Sequence, residues 1–260
     1  MPRYAMVIDL QRCVGCGACS IACRNENNVP EGIYWSNKIT ETVGTFPNVR
    51  YHYIPTLCNH CSNAPCVRGC PTRAMHKLDN GITMHDPGKC IGCKYCEFNC
   101  PYGVIYFNWE KPHKFWRSEE AVIPGGTASP KELVEKVGGQ APPYFNPERT
   151  GTAATIRPKG VVEKCTFCDH RVARKQLPHC VEACPANARV FGDLADPNSE
   201  VSVLLGKFHP FRLREEIGTE PHVFYIRGYK PARYRATTGG VQMNGHKRLQ
   251  PTWKEVLGIA

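Results

Sequence analysis

Sixteen cysteines in four groups are the feature that most constrains how this chain of 260 residues can fold. Their repeated Cys-x-x-Cys spacing suits thiolates that converge on one metal centre better than it suits disulfide bridges between distant strands. Four versions of one pattern also indicate a duplicated unit. The groups are Cys13, Cys16, Cys19 and Cys23; Cys58, Cys61, Cys66 and Cys70; Cys90, Cys93, Cys96 and Cys100; and Cys165, Cys168, Cys180 and Cys184.

The spacing within the groups favours iron and sulfur over zinc. Cys-x-x-Cys-x-x-Cys places three thiolates in one tight loop, and in bacterial ferredoxins the next cysteine, which precedes a proline, ligates the neighbouring cluster. Proline follows Cys70, Cys100 and Cys184. A zinc ribbon also uses paired Cys-x-x-Cys motifs, and the fourth group taken alone would fit one. Together the groups predict [4Fe-4S] clusters, with zinc and disulfides as the alternatives.

The number of cysteines is enough for four clusters with four thiolates each, so no other ligand is required. It also leaves no iron without a protein ligand, which a catalytic cluster would need. The histidines beside the cysteines are interpreted as neighbours of the ligands or as surface residues: His60, His170 and His179. Three of the four tryptophans are interpreted as core or interface residues rather than electron relays: Trp35, Trp109 and Trp116.

The formal net charge of +10 is consistent with bound anionic clusters. Each oxidised cluster with its four thiolates contributes roughly −2, so four of them would bring the protein to about +2. No recognition motif for nucleic acid accompanies the basic residues, and we expect no nucleic-acid partner. Arg12, Lys89 and Lys164 each precede the first cysteine of a group. We interpret them as cations that offset a cluster, with ordinary surface charge as the alternative.

Short apolar runs and turn signals predict an α+β fold of small hairpins and helices around the clusters. Strands are predicted at 4–8, 81–84, 103–107 and 223–226. Ser129 and Glu132 form a capping-box pattern that predicts a short helix ending at Gly138-Gly139. A second helix is predicted from Asp196-Pro197 to about Leu205.

Two segments fall outside this pattern. Residues 108–159 are rich in glycine and proline, including Pro142-Pro143, and predict an irregular insertion that either docks a partner or is merely tolerated. From about Lys230 the chain is basic and poor in apolar residues, which fits a free tail or an arm that becomes ordered on a partner. The first residues do not resemble a signal peptide, and no apolar stretch is long enough to span a bilayer.

The cysteine groups resemble those of the four-cluster iron–sulfur subunits of the molybdopterin oxidoreductases related to dimethyl sulfoxide reductase. The similarity covers about residues 1–229. Within that family, the segments 53–60, 112–159 and 163–171 look most like the subunit from respiratory arsenate reductases. Subunits of polysulfide and tetrathionate reductases share the cysteines but are expected to lack so long an insertion. Arg24 departs from the proline that the family pattern has after the first group.

The resemblance implies an organisation and a set of ligands. Residues 1–57 with 160–229 would form one ferredoxin module and 58–107 a second, with an insertion at 108–159 and a tail at 230–260. All four clusters would be [4Fe-4S]. The implied ligand sets are Cys13, Cys16, Cys19 and Cys184; Cys58, Cys61, Cys66 and Cys100; Cys90, Cys93, Cys96 and Cys70; and Cys165, Cys168, Cys180 and Cys23.

The implied function is electron transfer without catalysis by this chain. It would carry single electrons between a quinol-side donor and a catalytic subunit that holds molybdopterin with molybdenum or tungsten and reduces arsenate or a related oxyanion. A membrane anchor or a quinol-oxidising cytochrome would be a further partner. The alternatives are a subunit of a polysulfide, tetrathionate or thiosulfate reductase, and a free polyferredoxin. Relatives commonly leave the cytoplasm with a signal-bearing partner, so we expect a periplasmic location, with a cytoplasmic, membrane-associated location as the alternative.

Overall fold

The computed structural model describes residues 1–112, 121, 123–139 and 145–229, in which short strands and helices surround the cysteines. The strands are β1 (Tyr4–Asp9), β2 (Ser36–Val43), β3 (Arg50–Leu57), β4 (Met75–Lys77), β5 (Thr83–His85), β6 (Tyr106–Phe107), β7 (Val162–Glu163), β8 (Arg189–Asp193) and β9 (Val223–Ile226). The helices are α1 (Ala18–Glu26), α2 (Pro65–Arg68), α3 (Tyr95–Asn99), α4 (Pro130–Val137), α5 (Asp169–Val172), α6 (His179–Glu182) and α7 (Glu200–Lys207). The predicted α+β class is confirmed.

The largest sheet is built on β1. This strand pairs antiparallel with β8 and parallel with β9, so it is the central strand of three. Met6 and Ile8 on one face enter the main core, whereas Ala5 and Val7 on the other pack with residues of β8, β9 and α7. Burial on both faces explains why β1 reads as a continuous apolar run. The predicted strands at 4–8 and 223–226 are both confirmed.

Two other predicted strands are shorter than expected. Gly81, with a positive φ of 85°, lies in the turn of the β4–β5 hairpin, so strand β5 begins only at Thr83. In the run 103–107 only β6 pairs, with β7. Burial raises the pKa of the Cys100 thiol, and the Val104 amide beside its sulfur opposes that shift, whereas the Gly103 amide donates to the Cys100 carbonyl oxygen (3.3 Å). Those amides are therefore not used in a strand ladder.

The two predicted helices both exist. The capping box is present, because the Glu132 amide donates to Ser129 Oγ (3.2 Å) and the Ser129 amide donates to Glu132 Oε2 (2.8 Å). Helix α4 ends at Gly138, which is left-handed. The prediction placed the start of α7 too early. Ser199 caps this helix by accepting from the Ser202 amide (3.2 Å), whereas Asp196 forms a separate turn before it.

A long hairpin that the sequence analysis did not predict lies beside the first cysteine group. Strands β2 and β3 pair antiparallel from Ser36 opposite Leu57 to Val43 opposite Arg50. Its Tyr53 ring lies against Gly15, where a Cβ atom would stand 2.4 Å from a ring carbon. Only glycine therefore fits at this point of the first cysteine loop. The hairpin forms one wall of that loop.

One apolar core runs through both of the predicted modules. It includes Ile54, Met75, Ile105 and Tyr225, which come from different parts of the chain. No helix in the described part of the chain combines the length and the hydropathy of a membrane span. Parts of the predicted insertion, with Trp116 and Pro142-Pro143, and all of the predicted tail lie outside the described residues.

The end of the predicted insertion is held against α1 by buried polar groups. Glu26 accepts from the Arg149 guanidinium and from His170, at 2.7 Å in each case. Arg157 pairs with Glu163 and donates to the backbone carbonyl of Asn27 at 2.7 Å. Burial raises the pKa of Glu26, but the bonds from Arg149 and His170 outweigh it and leave that pKa lowered. The insertion is therefore tied to the helix that carries Cys23.

We predict that Glu26→Gln loosens this attachment. Removing one partner of a buried ion pair costs about 3–5 kcal/mol, because the Arg149 charge stays buried and keeps only the exposed Glu148, at 3.5 Å, as a counterion. Amides of residues 146–155 should then exchange with deuterium about 100-fold faster. Hydrogen exchange with mass spectrometry measures this effect.

The matched control is Glu182→Gln. Glu182 is exposed and pairs with Arg171 and His179 at the surface. Such pairs contribute at most about 1 kcal/mol, so exchange at 146–155 should change less than about fivefold. Equal exchange in the two variants would contradict the anchoring role of Glu26.

Candidate functional site

All sixteen cysteines lie among the described residues, and none forms a disulfide. Most are buried or half-buried, whereas Cys16 and Cys93 are exposed. The disulfide alternative therefore has no support in the structure. The thiols instead gather in four places, each of which draws on two cysteine groups.

The most buried set joins the first group to the fourth. Burial raises the pKa of the Cys23 thiol well above its usual value, and the adjacent Cys165, Cys168 and Cys180 raise it further. Helix α1 supplies Cys23, and the residues beside α5 and within α6 supply the others. Cys23 therefore lies beside three cysteines that are more than half of the chain away from it in the sequence.

A second set also joins the first and fourth groups. Burial raises the pKa of Cys13, and although the Gly15 amide opposes the shift, Cys19 and Cys184 add to it. Cys13, Cys19 and Cys184 line one cavity together with Cys16. This set lies nearer the surface than the first.

The other two sets each combine cysteines from the second and third groups. Burial and then Cys58 raise the pKa of Cys66 to about 12, and Cys100 and Cys61 contribute in the same direction. Burial and then Cys90 raise the pKa of Cys96 to about 12. Cys70 and Cys93 add to that shift. A second cavity is lined by Cys70, Cys90, Cys93 and Cys96.

Crowding of this kind has a chemical meaning. A thiol buried among other thiols resists ionisation, because each new negative charge is repelled by the others and poorly solvated. Metal binding reverses this, since it requires and stabilises thiolates. Four crowded sets of cysteine, without disulfides, therefore fit the donors that iron–sulfur clusters use.

In the ranges that the structure describes, no three His, Cys, Asp or Glu side chains approach closely enough to ligate a single metal ion. This finding does not conflict with the four thiol sets. Each thiolate of a [4Fe-4S] cluster binds a different iron, so the thiolates stand farther apart than the ligands of one ion.

The first and third cysteine loops have the same local geometry. Gly15 and Gly92 occupy equivalent positions and both have a φ of 70°. A Cβ atom on Gly92 would lie 2.1 Å from the Gly160 carbonyl oxygen, so glycine is required there too. The helices that follow begin at left-handed residues, Gly17 and Lys94. The repetition seen in the sequence is therefore also a repetition of backbone conformation.

Several N–H groups point at cysteine sulfurs. The backbone amides of Met75 and Ala188 each lie 3.3 Å from a sulfur, that of Cys70 and Cys184 respectively. The side-chain amide of Asn27 lies 3.5 Å from the sulfurs of both Cys23 and Cys168. Hydrogen bonds to sulfur are one control on cluster potential. Sequence reasoning missed Asn27, because nothing in the cysteine spacing marks it.

The three basic residues that precede cysteine groups do not behave alike. Arg12 and Lys89 are exposed and lie 3.7 Å and 3.6 Å from Asp9 and Asp86, so they match the surface-charge alternative. Lys164 is buried, and its ammonium donates to the backbone oxygens of Thr83 and Cys165. The three residues therefore do not share one environment, and only Lys164 is a buried cation.

A further buried cation was not predicted. The Arg189 guanidinium lies near the thiols of Cys180 and Cys19, and their charges keep its pKa raised although burial acts in the opposite direction. Arg189 thus stands between the two sets that the first and fourth groups share. No sequence signal marks it, because it precedes no cysteine.

The structure gives other partners to the histidines. His60 Nδ1 accepts from the Thr83 amide (3.1 Å), and its ring stacks on Phe167. Burial lowers the pKa of His60 well below its usual value, and Lys164 adds to the effect. His170 contacts Glu26, and His179 lies 3.2 Å from Glu182 at the surface. These positions agree with their interpretation as neighbours of ligands or surface residues.

Two of the tryptophans lie among the described residues. Trp35 is buried beneath the Arg157 guanidinium, 4.6 Å from the ring centroid. Trp109 is exposed, and the Lys94 ammonium lies 3.8 Å from its ring centroid. These positions correspond to the core and to the surface respectively.

Comparisons with known proteins agree with this chemistry. Residues 49–115 and 89–188 match models of a 4Fe-4S dicluster domain, and residues 6–26 match a 4Fe-4S binding domain. The arsenate respiratory reductase iron–sulfur subunit of Shewanella sp. (strain ANA-3) is 56% identical over 87% of this chain and 97% of its own length. A selenate reductase subunit of Mesobacillus selenatarsenatis is 38% identical over 86% of this chain and 72% of its own length.

A tetrathionate reductase subunit of Salmonella typhimurium is 35% identical over 86% of this chain and 72% of its own length. Each of these matches covers 86% or more of this chain, and together they confirm the resemblance seen in the sequence. The chain belongs to the family of 4Fe-4S electron-transfer subunits of the molybdopterin oxidoreductases related to dimethyl sulfoxide reductase, and its role in such a complex is non-catalytic.

Proposed function

We propose that this chain holds four [4Fe-4S] clusters in two ferredoxin-like modules, residues 1–57 with 160–229 and residues 58–107. The support is the crowding of thiols from paired groups and the identical turns at Gly15 and Gly92. When bound, the clusters supply one-electron redox chemistry. The proposed ligand sets are Cys13, Cys16, Cys19 and Cys184; Cys58, Cys61, Cys66 and Cys100; Cys90, Cys93, Cys96 and Cys70; and Cys165, Cys168, Cys180 and Cys23.

The thiol sets adjoin one another in a definite order. Burial raises the pKa of Cys180, and the charge of Cys19 adds to that shift. The set that contains Cys19 therefore lies beside the buried set that contains Cys180. Burial raises the pKa of Cys165, and the charge of Cys58 is among those that add to the shift. The buried set therefore also lies beside the set that contains Cys58. The two middle sets adjoin where α2, which carries Cys66, packs against α3, which carries Cys96. This arrangement supports a single row with one exposed thiol, Cys16 or Cys93, near each end.

Both ends of this row carry exposed apolar side chains. Val14 and Ile21 are exposed beside the first group, and Ile91 and Phe98 are exposed beside the third. Exposed apolar residues at two separate places are typical of contacts with partner subunits. They support a relay that passes electrons between two partners, for which the described part of the proposed insertion, 108–159, and the proposed tail, 230–260, are further candidate contacts.

The identities of the relatives support a proposal for the partners and the substrate. We propose a molybdopterin subunit, with molybdenum or tungsten, that reduces arsenate or a related oxyanion, and a quinol-side donor. The support is the 56% identity to the arsenate respiratory reductase subunit, against 35% to the tetrathionate reductase subunit. A tetrathionate, polysulfide or thiosulfate reductase is the alternative.

We also propose that the chain works in the periplasm after export with a signal-bearing partner. Residues 4–9 form the central strand β1, so export in the folded state would carry the assembled sheet across. Osmotic-shock fractionation of the host, with immunoblotting for this chain, tests the location. Retention with cytoplasmic markers would overturn it.

The first test of function is metal content. The untagged complex, purified anaerobically from its host through this chain, should contain about sixteen irons per chain. It should also contain molybdenum or tungsten in a large partner and should reduce arsenate with a reduced viologen dye as donor. Iron without a stable partner would favour a free polyferredoxin, zinc in place of iron would overturn the cluster assignment, and turnover of tetrathionate alone would favour the alternative.

The crossing of ligands between groups gives a second prediction. Serine variants of Cys23 and Cys180 should alter the same electron paramagnetic resonance signal, because both thiols belong to one set. Serine variants of Cys13 and Cys184 should alter a different signal, although Cys13 is close to Cys23 in the sequence. Anaerobic spectra of the four purified complexes compare these signals. A shared signal for Cys13→Ser and Cys23→Ser would contradict the proposed sets.

A further inference from the structure

Lys164 lies at the junction between the fourth cysteine group and the middle groups. Its side chain is only 1% exposed. The ammonium donates to the Cys165 carbonyl oxygen at 2.9 Å and to the Thr83 carbonyl oxygen on β5. The backbone of Lys164 therefore belongs to one proposed module, whereas its charge reaches the other.

Lys77 brings a second ammonium to the same region. Its Nζ donates to three backbone carbonyl oxygens, those of His60 (3.1 Å), Cys61 (2.8 Å) and Gly81 (2.6 Å). The residue is half-buried on β4. Since an ammonium has three donors, these bonds satisfy it completely. The position of this charge is thus fixed by the surrounding backbone.

Neither lysine takes part in the ion pairs that the structure shows within the described ranges. Carbonyl oxygens satisfy the hydrogen bonds of an ammonium but do not neutralise its charge. A buried cation without a counterion is strongly unfavourable. Some other negative charge nearby must therefore balance Lys164.

Cysteines of the set that contains Cys66 lie beside both lysines. Lys77 Nζ donates to the Cys61 carbonyl oxygen at 2.8 Å, and the charge of Lys164 acts on Cys66, although its ammonium also donates to the carbonyl oxygen of Cys165 in the neighbouring set. Burial and then Cys58 make the largest contributions to the raised pKa of the Cys66 thiol. The charge of Lys164 opposes them and lowers that pKa. Burial lowers the pKa of Lys77, and Cys61, Cys58 and Cys66 oppose that shift. The other titratable neighbours on these elements, His60, His85 and His222, have lowered pKa values and carry no charge at neutral pH.

We propose that Lys164 and Lys77 tune the redox potential of the proposed centre that Cys58, Cys61, Cys66 and Cys100 hold. This inference rests on the proposed ligand sets. Reduction adds one negative charge to the cluster, and a fixed cation nearby stabilises the reduced form more than the oxidised form. The two ammonium groups therefore raise the reduction potential of this interior centre and favour residence of the electron there.

The experiment uses the complete complex with Lys164→Met, Lys77→Met or both substitutions in this chain. Methionine keeps an unbranched side chain without the charge. Potentials are measured by redox titration followed by electron paramagnetic resonance, and the centre is identified by the signal that Cys66→Ser alters. Each single variant should lower the midpoint potential of this centre, and the double variant should lower it further. The midpoint potentials of the other three proposed centres should shift less.

Lys89→Met is the matched control. Lys89 also precedes the first cysteine of a group, but its ammonium is exposed and lies 3.6 Å from Asp86. Water and the aspartate screen that charge, so all four potentials should stay unchanged. An effect of the same size in Lys89→Met would show that removal of any lysine suffices, and it would overturn the proposal.

Two further outcomes are distinguishable. If Lys164→Met lowers the iron content, Lys77→Met decides, because the Lys77 side chain is less buried than that of Lys164. Four signals with no shift of the Cys66-dependent centre in Lys77→Met would overturn the tuning role alone. Fewer than four cluster signals in the unmodified complex would instead overturn the four-cluster assignment.

Discussion

The need to hold groups of negatively charged thiolates away from water is the constraint on which this structure depends. Thiols from distant parts of the chain meet in each set, as where Cys23 of α1 joins Cys165, Cys168 and Cys180. Each meeting closes a long loop, which is costly in chain entropy unless something strong binds the ends. Bound metal provides that stabilisation. The short helices and strands are therefore supports for loops rather than an independent scaffold.

Buried positive charge is the second half of the same constraint. Arg189 stands between the two sets shared by the first and fourth groups, and Lys164 faces the middle set that contains Cys66. A fold without anions at these places would not retain such cations in its core. Part of the net charge of +10 is thus associated with the buried thiols, whereas Arg12 and Lys89 are surface residues.

The sequence predicted what depends on local pattern. Cysteine spacing, the apolar run of β1 and the capping box at Ser129 are short-range signals, and each led to the right kind of element. The long hairpin β2–β3 and the shortened strand β6 were not predicted; the hairpin packs Tyr53 against Gly15 of the first cysteine loop, and the residues before β6 lie beside Cys100. The direction of a side chain could not be predicted from its position in the sequence. Arg12 and Lys164 both precede a cysteine, but only the Lys164 side chain is buried by tertiary packing.

The segment at 145–157 shows how structure and redox chemistry are joined in this chain. Arg157 holds the Asn27 carbonyl at 2.7 Å, and the side chain of the same asparagine reaches the sulfurs of Cys23 and Cys168 at 3.5 Å. Movement of Arg157 would therefore change a hydrogen bond to sulfur, which is a control on potential. A segment without a cysteine of its own thereby becomes part of the environment of a proposed centre. The end of the proposed insertion is for this reason more than a tolerated loop.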